Sequence, residues 1–116
     1  VIFHILSKSA WQQAVRDGVY APPSLQTDGF IHASTREQTL GTANGFFRGV
    51  PDLVLLRVDP QRLKTELRWD PPADVGDTRS DQLFPHIYGP LNLDAVAGAV
   101  DFTCDADGSF AWPAGA

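Results

Sequence analysis

Several features that would narrow the chemistry at once are missing from this chain. It has one cysteine, Cys104, in 116 residues. No internal disulfide and no thiolate zinc cluster can therefore be built, and a reducing, cytoplasmic setting suits such a chain. Methionine is absent, and glutamate occurs only at Glu37 and Glu66 against twelve aspartates. A mechanism that turns on a glutamate has two candidates and no more. No apolar run approaches the ~18 residues of a membrane span, and the first residues lack the basic-then-apolar order of a leader. Basic residues are also few: nine Lys and Arg face fourteen Asp and Glu, for a net charge of -5. Broad nucleic-acid binding needs a basic face and is excluded on that count. A small anionic ligand held by a few arginines remains open, because seven of the nine basic residues are Arg. There is no Gly-rich phosphate loop and no Gly-x-Ser-x-Gly elbow.

What is present is an ordinary globular composition, 43% apolar and 20% charged, of a size that fits one domain over residues 1–116. Residues 1–5 (VIFHI) read as a strand buried on both faces. Ser7 caps a helix from Lys8 with Trp11, Ala14 and Val15 on one face, and Gly18 stops it. Residues 19–29, with two prolines and Asp28-Gly29, read as a loop with a short extended piece. Residues 30–33 (FIHA) predict a second strand. Thr35 and Gln38 have capping-box spacing for a helix that turns Leu40, Ala43, Phe46 and Phe47 inward. LVLLRV, residues 53–58, is a central strand. A short strand follows over residues 67–69. Residues 70–81 form a polar, Pro-rich and acidic loop, with few apolar anchors to hold a potential lid. A short capped turn or helix comes at residues 92–95. Closing strands are expected over residues 96–104 and 110–112, joined by Asp107-Gly108. Strands gathered after early helices predict an α+β fold.

Three histidines, His4, His32 and His86, all fall on or beside expected strands. A buried imidazole needs a polar partner, so strands rarely use histidine for packing alone. A zinc site built from all three histidines is the sharp alternative, but the ligands would stand 28 and 54 residues apart with no i,i+4 pair, so no metal site is assigned. His32, Ser34 and Thr35 lie where a strand runs into a helix N-terminus, a place that favours anions. Capping alone explains the two hydroxyls; it does not explain His32. Arg36, one turn further, is the arginine best placed for a phosphate or carboxylate. His86 and Tyr88, two apart on a strand, project to one face. They set an imidazole and a phenol around one substrate group, with His86 as general acid or base. The expectation is that His32 and His86 open on one concave site.

Phe3-His4-Ile5, Gly29-Phe30-Ile31-His32-Ala33-Ser34, Ala43-Asn44, Arg68-Trp69 and Phe84-Pro85-His86-Ile87-Tyr88-Gly89-Pro90-Leu91 resemble the small bacterial and plant family designated domain of unknown function 952. That family in turn resembles, more remotely, the ADP-ribosylation fold of ADP-ribosyltransferases and RNA 2'-phosphotransferases. The resemblance implies a split, strongly bent sheet with short helices and an NAD or ADP-ribose-like ligand. It also implies that His4, His32, Ser34 and Thr35 face that ligand, while Arg36 is assigned to its anion by its place at the helix start, the arginines of the chain not following the phosphotransferase pattern. The late glutamate of many transferases has no counterpart, since Glu37 and Glu66 both come too early, and His86 and Tyr88 occupy the late position. Three function classes follow: an enzyme or degenerate enzyme on such a ligand, a non-catalytic nucleotide sensor using the same pocket, and a protein-interaction module that uses the loop at residues 70–81.

Overall fold

The computed structural model describes residues 1–74 and 76–116. Val75, within the loop expected at residues 70–81, lies outside the described residues. Among the described residues, eight strands and three helices follow in the order β1 (Ile2–Ser7), α1 (Lys8–Asp17), β2 (Val19–Tyr20), α2 (Ser24–Thr27), β3 (Ile31–His32), α3 (Arg36–Phe46), β4 (Leu53–Val58), β5 (Glu66–Asp70), β6 (Phe84–Tyr88), β7 (Leu91–Asn92) and β8 (Val96–Phe102). The fold is α+β. Its strands form three antiparallel sheets, ordered β1-β4-β8, β2-β7 and β3-β6-β5. No described helix is long and apolar enough to cross a membrane.

β4 shows why its sequence is apolar almost throughout. Val54, Leu56 and Val58 face one core, with Ile2, Leu6, Ile31, Ile87 and Leu91. Leu53 and Leu55 face a second core with Phe3, Ala43, Phe102 and Phe110. A strand buried on both faces has no solvent side on which polar residues would alternate. The free edge of β1 is hooked to the chain just after β3. Phe3 and Ser34 exchange both main-chain hydrogen bonds, each 2.8 Å long. That bridge sets the β1 sheet beside the β3-β6-β5 sheet, which is what creates the site.

The helix ends follow the sequence. Ser7 Oγ accepts the Ala10 N–H, and Gly18 closes α1 in the left-handed region at φ 77°. Thr35 and Gln38 form the reciprocal capping box. Two inward assignments are corrected. Val15 is 56% exposed and Phe46 42% exposed. α1 docks through Ala10, Trp11 and Ala14, and Val15 lies about 100° round the helix from Ala14. Phe46, in the last turn of α3, overhangs the core, and Thr39 is buried instead, its hydroxyl donating to the Thr35 carbonyl at 2.7 Å. The strand expected at residues 110–112 does not form. The Asn44 carboxamide takes over its pairing, accepting the Phe110 N–H at 2.7 Å and donating to the Phe110 carbonyl at 3.3 Å. With both main-chain groups satisfied, no ladder is needed.

Gly89, between β6 and β7, has φ 151°, and a Cβ there would lie 2.6 Å from Thr65 Cγ2. Gly89→Ala is therefore expected to lower stability by about 2 kcal/mol. Urea unfolding checks it, and an unchanged midpoint would contradict the account.

Candidate functional site

The β3-β6-β5 sheet is divided by face. Ile31, Ile87 and Leu67 turn into the first core, so their neighbours along each strand must turn the other way. His32 pairs across from His86, and His86 across from Arg68. That row of polar groups therefore shares one face, with Tyr88 and Asp70 on the same side. Phe30 roofs it, its ring stacked 4.0 Å from His86 and tilted against His32 at 4.8 Å.

His86 is almost fully buried. Its Nδ1–H donates to Asp70 Oδ2 at 2.9 Å, and the Tyr88 hydroxyl donates to the same oxygen at 2.5 Å. The Tyr88 hydroxyl and His86 together hold the Asp70 carboxyl below the usual range. Burial lowers His86, against the pull of Asp70. The two directions agree on a neutral imidazole whose Nδ1 proton faces a carboxylate. Nε2 is then a bare lone pair; the ring's one hydrogen bond among the described residues is through Nδ1. Arg68 lies over the Tyr88 ring at 4.4 Å and bonds Glu66 at 2.8 Å, so the phenol is packed as well as bonded.

His4 is tied in a different way. It sits on the β1 face that carries Ile2 and Leu6, and its Nδ1–H donates to the His32 carbonyl. Nε2 accepts the Tyr20 hydroxyl at 2.8 Å. Burial pushes His4 down to about 4 and Tyr20 up to about 12. Both ring nitrogens are occupied, and the neutral ring clamps β1 to β3 and β2. His32 is half-exposed, with Nε2 2.7 Å from Asp28 Oδ2.

A cleft of about 550 Å³ opens between these groups. His4, His32, Ser34 and His86 line it, with Tyr20 and Phe84 among the aromatic walls. The two strand histidines thus face one concavity. Tyr88 and Asp70 stand behind His86 rather than in the cleft. Thr35 is engaged in the capping box, and Arg36 stacks on Trp112 at 4.4 Å, outside the cleft. The arginine that does line the cleft is Arg79, which comes from the acidic loop. Asp70, Tyr20 and Arg79 were not singled out by sequence reasoning. Among the described residues no group of three His, Cys, Asp or Glu side chains gathers as for a metal ion.

Residues 5–99 match a family described as protein of unknown function, DUF952. The chain belongs to the DUF952 family. Solved structures of protein CC0527 from Caulobacter crescentus are similar to this DUF952 chain. A crystal structure has TM-score 0.80 and 38% identity over 95% of this chain and 92% of that one. A solution NMR structure has TM-score 0.70 and 38% identity over 93% and 89%. No curated protein matches the chain.

Proposed function

We propose that this DUF952 protein binds a nucleotide of NAD or ADP-ribose type in the cleft, and that His86 serves there as a general base. The observation that carries the reading is the His86 environment: a buried neutral imidazole, oriented by Asp70, with Nε2 unpartnered. Such a nitrogen takes the proton from a hydroxyl or water as its oxygen attacks the ribose C1' of NAD; the C1'–N bond breaks, nicotinamide leaves with that electron pair, and Asp70 stabilises the imidazolium that results. A cleft of about 550 Å³ is of the size that small-ligand and cofactor sites have. The resemblance to the ADP-ribosylation fold supplies the ligand class, with His32 near the second ligand-facing position; His4, on the first strand, lines the cleft with both ring nitrogens already engaged. Neither Glu37 nor Glu66 lines the cleft, so the reading uses histidine rather than glutamate chemistry. Tyr88 serves as a positioning residue through Asp70.

Calorimetric titration with NAD and with ADP-ribose tests this. At least one is expected to bind the wild type. His86→Ala should keep that affinity within about threefold, while His32→Ala should weaken it about tenfold, the worth of one good polar contact. Absence of heat and of thermal stabilisation with both nucleotides would sink the reading.

A further inference from the structure

Charge in the cleft is unevenly shared. Asp17, Asp74 and Asp77 line it, and Arg79 is the one Lys or Arg among the described residues that does. The Arg79 guanidinium is gripped on every side. Nε and Nη2 donate to the two oxygens of Asp77 at 3.0 and 2.8 Å. Nη1 donates to Thr42 Oγ1 at 3.0 Å and to the Gln38 carbonyl at 3.4 Å. Its plane lies 4.4 Å over the Phe84 ring. Thr42 Oγ1 is in turn 3.3 Å from Ser34 Oγ, and both hydroxyl residues line the cleft. A guanidinium and two hydroxyls, from the loop, α3 and the segment just after β3, therefore converge on one corner.

The Nε/Nη2 edge of an arginine matches a carboxylate or a phosphate in the same bidentate way. Asp77, two residues away, fills that edge, and its side chain is 3% exposed. Gly76 precedes it at φ 87°, in the left-handed region that glycine enters without steric cost. Behind the pair, Gly41 and Gly45 of α3 leave a hollow of about 220 Å³ against Gly76, Asp77 and Arg79. A carboxylate leaving the fork has somewhere to go.

We propose that Arg79, with Thr42 and Ser34, is a phosphate seat in the cleft, and that Asp77 is a built-in competitor that a ligand phosphate displaces. The seat would take the diphosphate of a nucleotide, and so rests on the reading above for its natural ligand. Exchange of one anion for another keeps the guanidinium compensated throughout, whereas vacating the fork would leave a partly buried cation unpaired. Asp77 thereby sets a threshold: a ligand with a single weak anionic group loses to it, and a diphosphate wins.

Inorganic pyrophosphate without divalent cations is the probe, titrated calorimetrically into the intact chain. Asp77→Asn is expected to bind it at least tenfold more tightly than wild type, and Arg79→Gln to lose binding. Asp74→Asn removes a charge from the same cleft but not from the fork, and should change affinity less than threefold. In the wild type, pyrophosphate should also shift the Arg79 Nε–H resonance, a readout that needs no variant to fold. Equal tightening by Asp74→Asn and Asp77→Asn, retained binding in Arg79→Gln, or an unmoved Arg79 resonance at saturating probe would each overturn the proposal. NAD binding that ignores both variants would overturn the seat and leave the nucleotide reading standing. Pyrophosphate binding that follows the expected pattern, with NAD and ADP-ribose both silent, would do the reverse.

Discussion

As pH falls, the chain is expected to lose stability in two steps, and the first, between about pH 6.5 and pH 4, belongs to histidine. His4 is lowered from 6.5 to about 4, first of all by burial. Over that window the unfolded chain takes up a proton at His4 and the folded chain does not. Stability therefore rises with pH there, and it is lost as pH drops. The gap between the two values corresponds to about 3 kcal/mol once the window is crossed. His86 is also lowered by burial and adds in the same direction. Asp70 and Asp77 are held below the ordinary carboxylate value by their hydrogen bonds to Tyr88 and Arg79. Their contribution is present above that value and lost below it, which puts the second step under about pH 4. Urea unfolding at pH 7, 5.5 and 4 reads the slope. His4→Leu combined with Tyr20→Phe removes the buried imidazole and its donor together, and should flatten the first step by about 3 kcal/mol. If variant and wild type fall in parallel from pH 7 to 4, His4 is not the source.

Much of the fold was legible because its signals are local. Ser7, Gly18, Thr35 and Gln38 act within one turn of where they stand, and the apolar run of β4 needs no knowledge of its neighbours. β2 and β7 were not legible as a pair. Two-residue strands have no periodicity to read, and Tyr20 meets Leu91 only because the rest of the fold brings them together. The segment at residues 110–112 misled for the same reason. Its apolar residues do pack, but Asn44, a helix side chain far off in sequence, bonds the backbone that a strand partner would have taken.

The site divides along the same line. Histidine stands out on a strand, so His32 and His86 announced themselves, and the period of two put Tyr88 on the His86 face. Asp70 did not stand out, being the first of several aspartates in a Pro-rich acidic run. Its role exists only through register: it ends β5 two pairs along from the Arg68–His86 pair, and so on the same face. Arg36 was picked for its place at a helix start one turn beyond His32. α3 begins at Arg36 and turns that side chain out to Trp112. Arg79, 47 positions from His32 by residue number, is carried back into the cleft by a loop tied to α3 through Thr42 and Gln38. The loop at residues 70–81 was expected to have few apolar anchors; among the described residues Asp77 and Arg79 hold it by polar ones.

Asp70→Asn is expected to disable His86 without emptying the cleft. In the wild type, Asp70 Oδ2 accepts from His86 Nδ1–H and from the Tyr88 hydroxyl, so the carboxylate selects the Nδ1–H tautomer and keeps Nε2 bare. A carboxamide brings an N–H donor of its own and no charge. It can bond the other tautomer, which places the proton on Nε2 where the base must accept one. It also gives the imidazolium formed during proton transfer no counter-charge. Loss of a positioned base lowers turnover by about 10²–10⁴-fold. Turnover of NAD should therefore drop at least about 100-fold in Asp70→Asn, with NAD affinity within about threefold of wild type. Tyr88→Phe leaves the carboxylate in place and should cost less than Asp70→Asn. Because burial lowers His86, wild-type turnover should be flat above the ordinary histidine range and fall only on the acid side of it. The ¹⁵N shifts of the His86 ring report the tautomer with no substrate present. They should show Nδ1–H in the wild type and a shift toward Nε2–H in Asp70→Asn. A wild-type ring protonated at Nε2 would remove the base from the cleft, and the assignment of His86 with it.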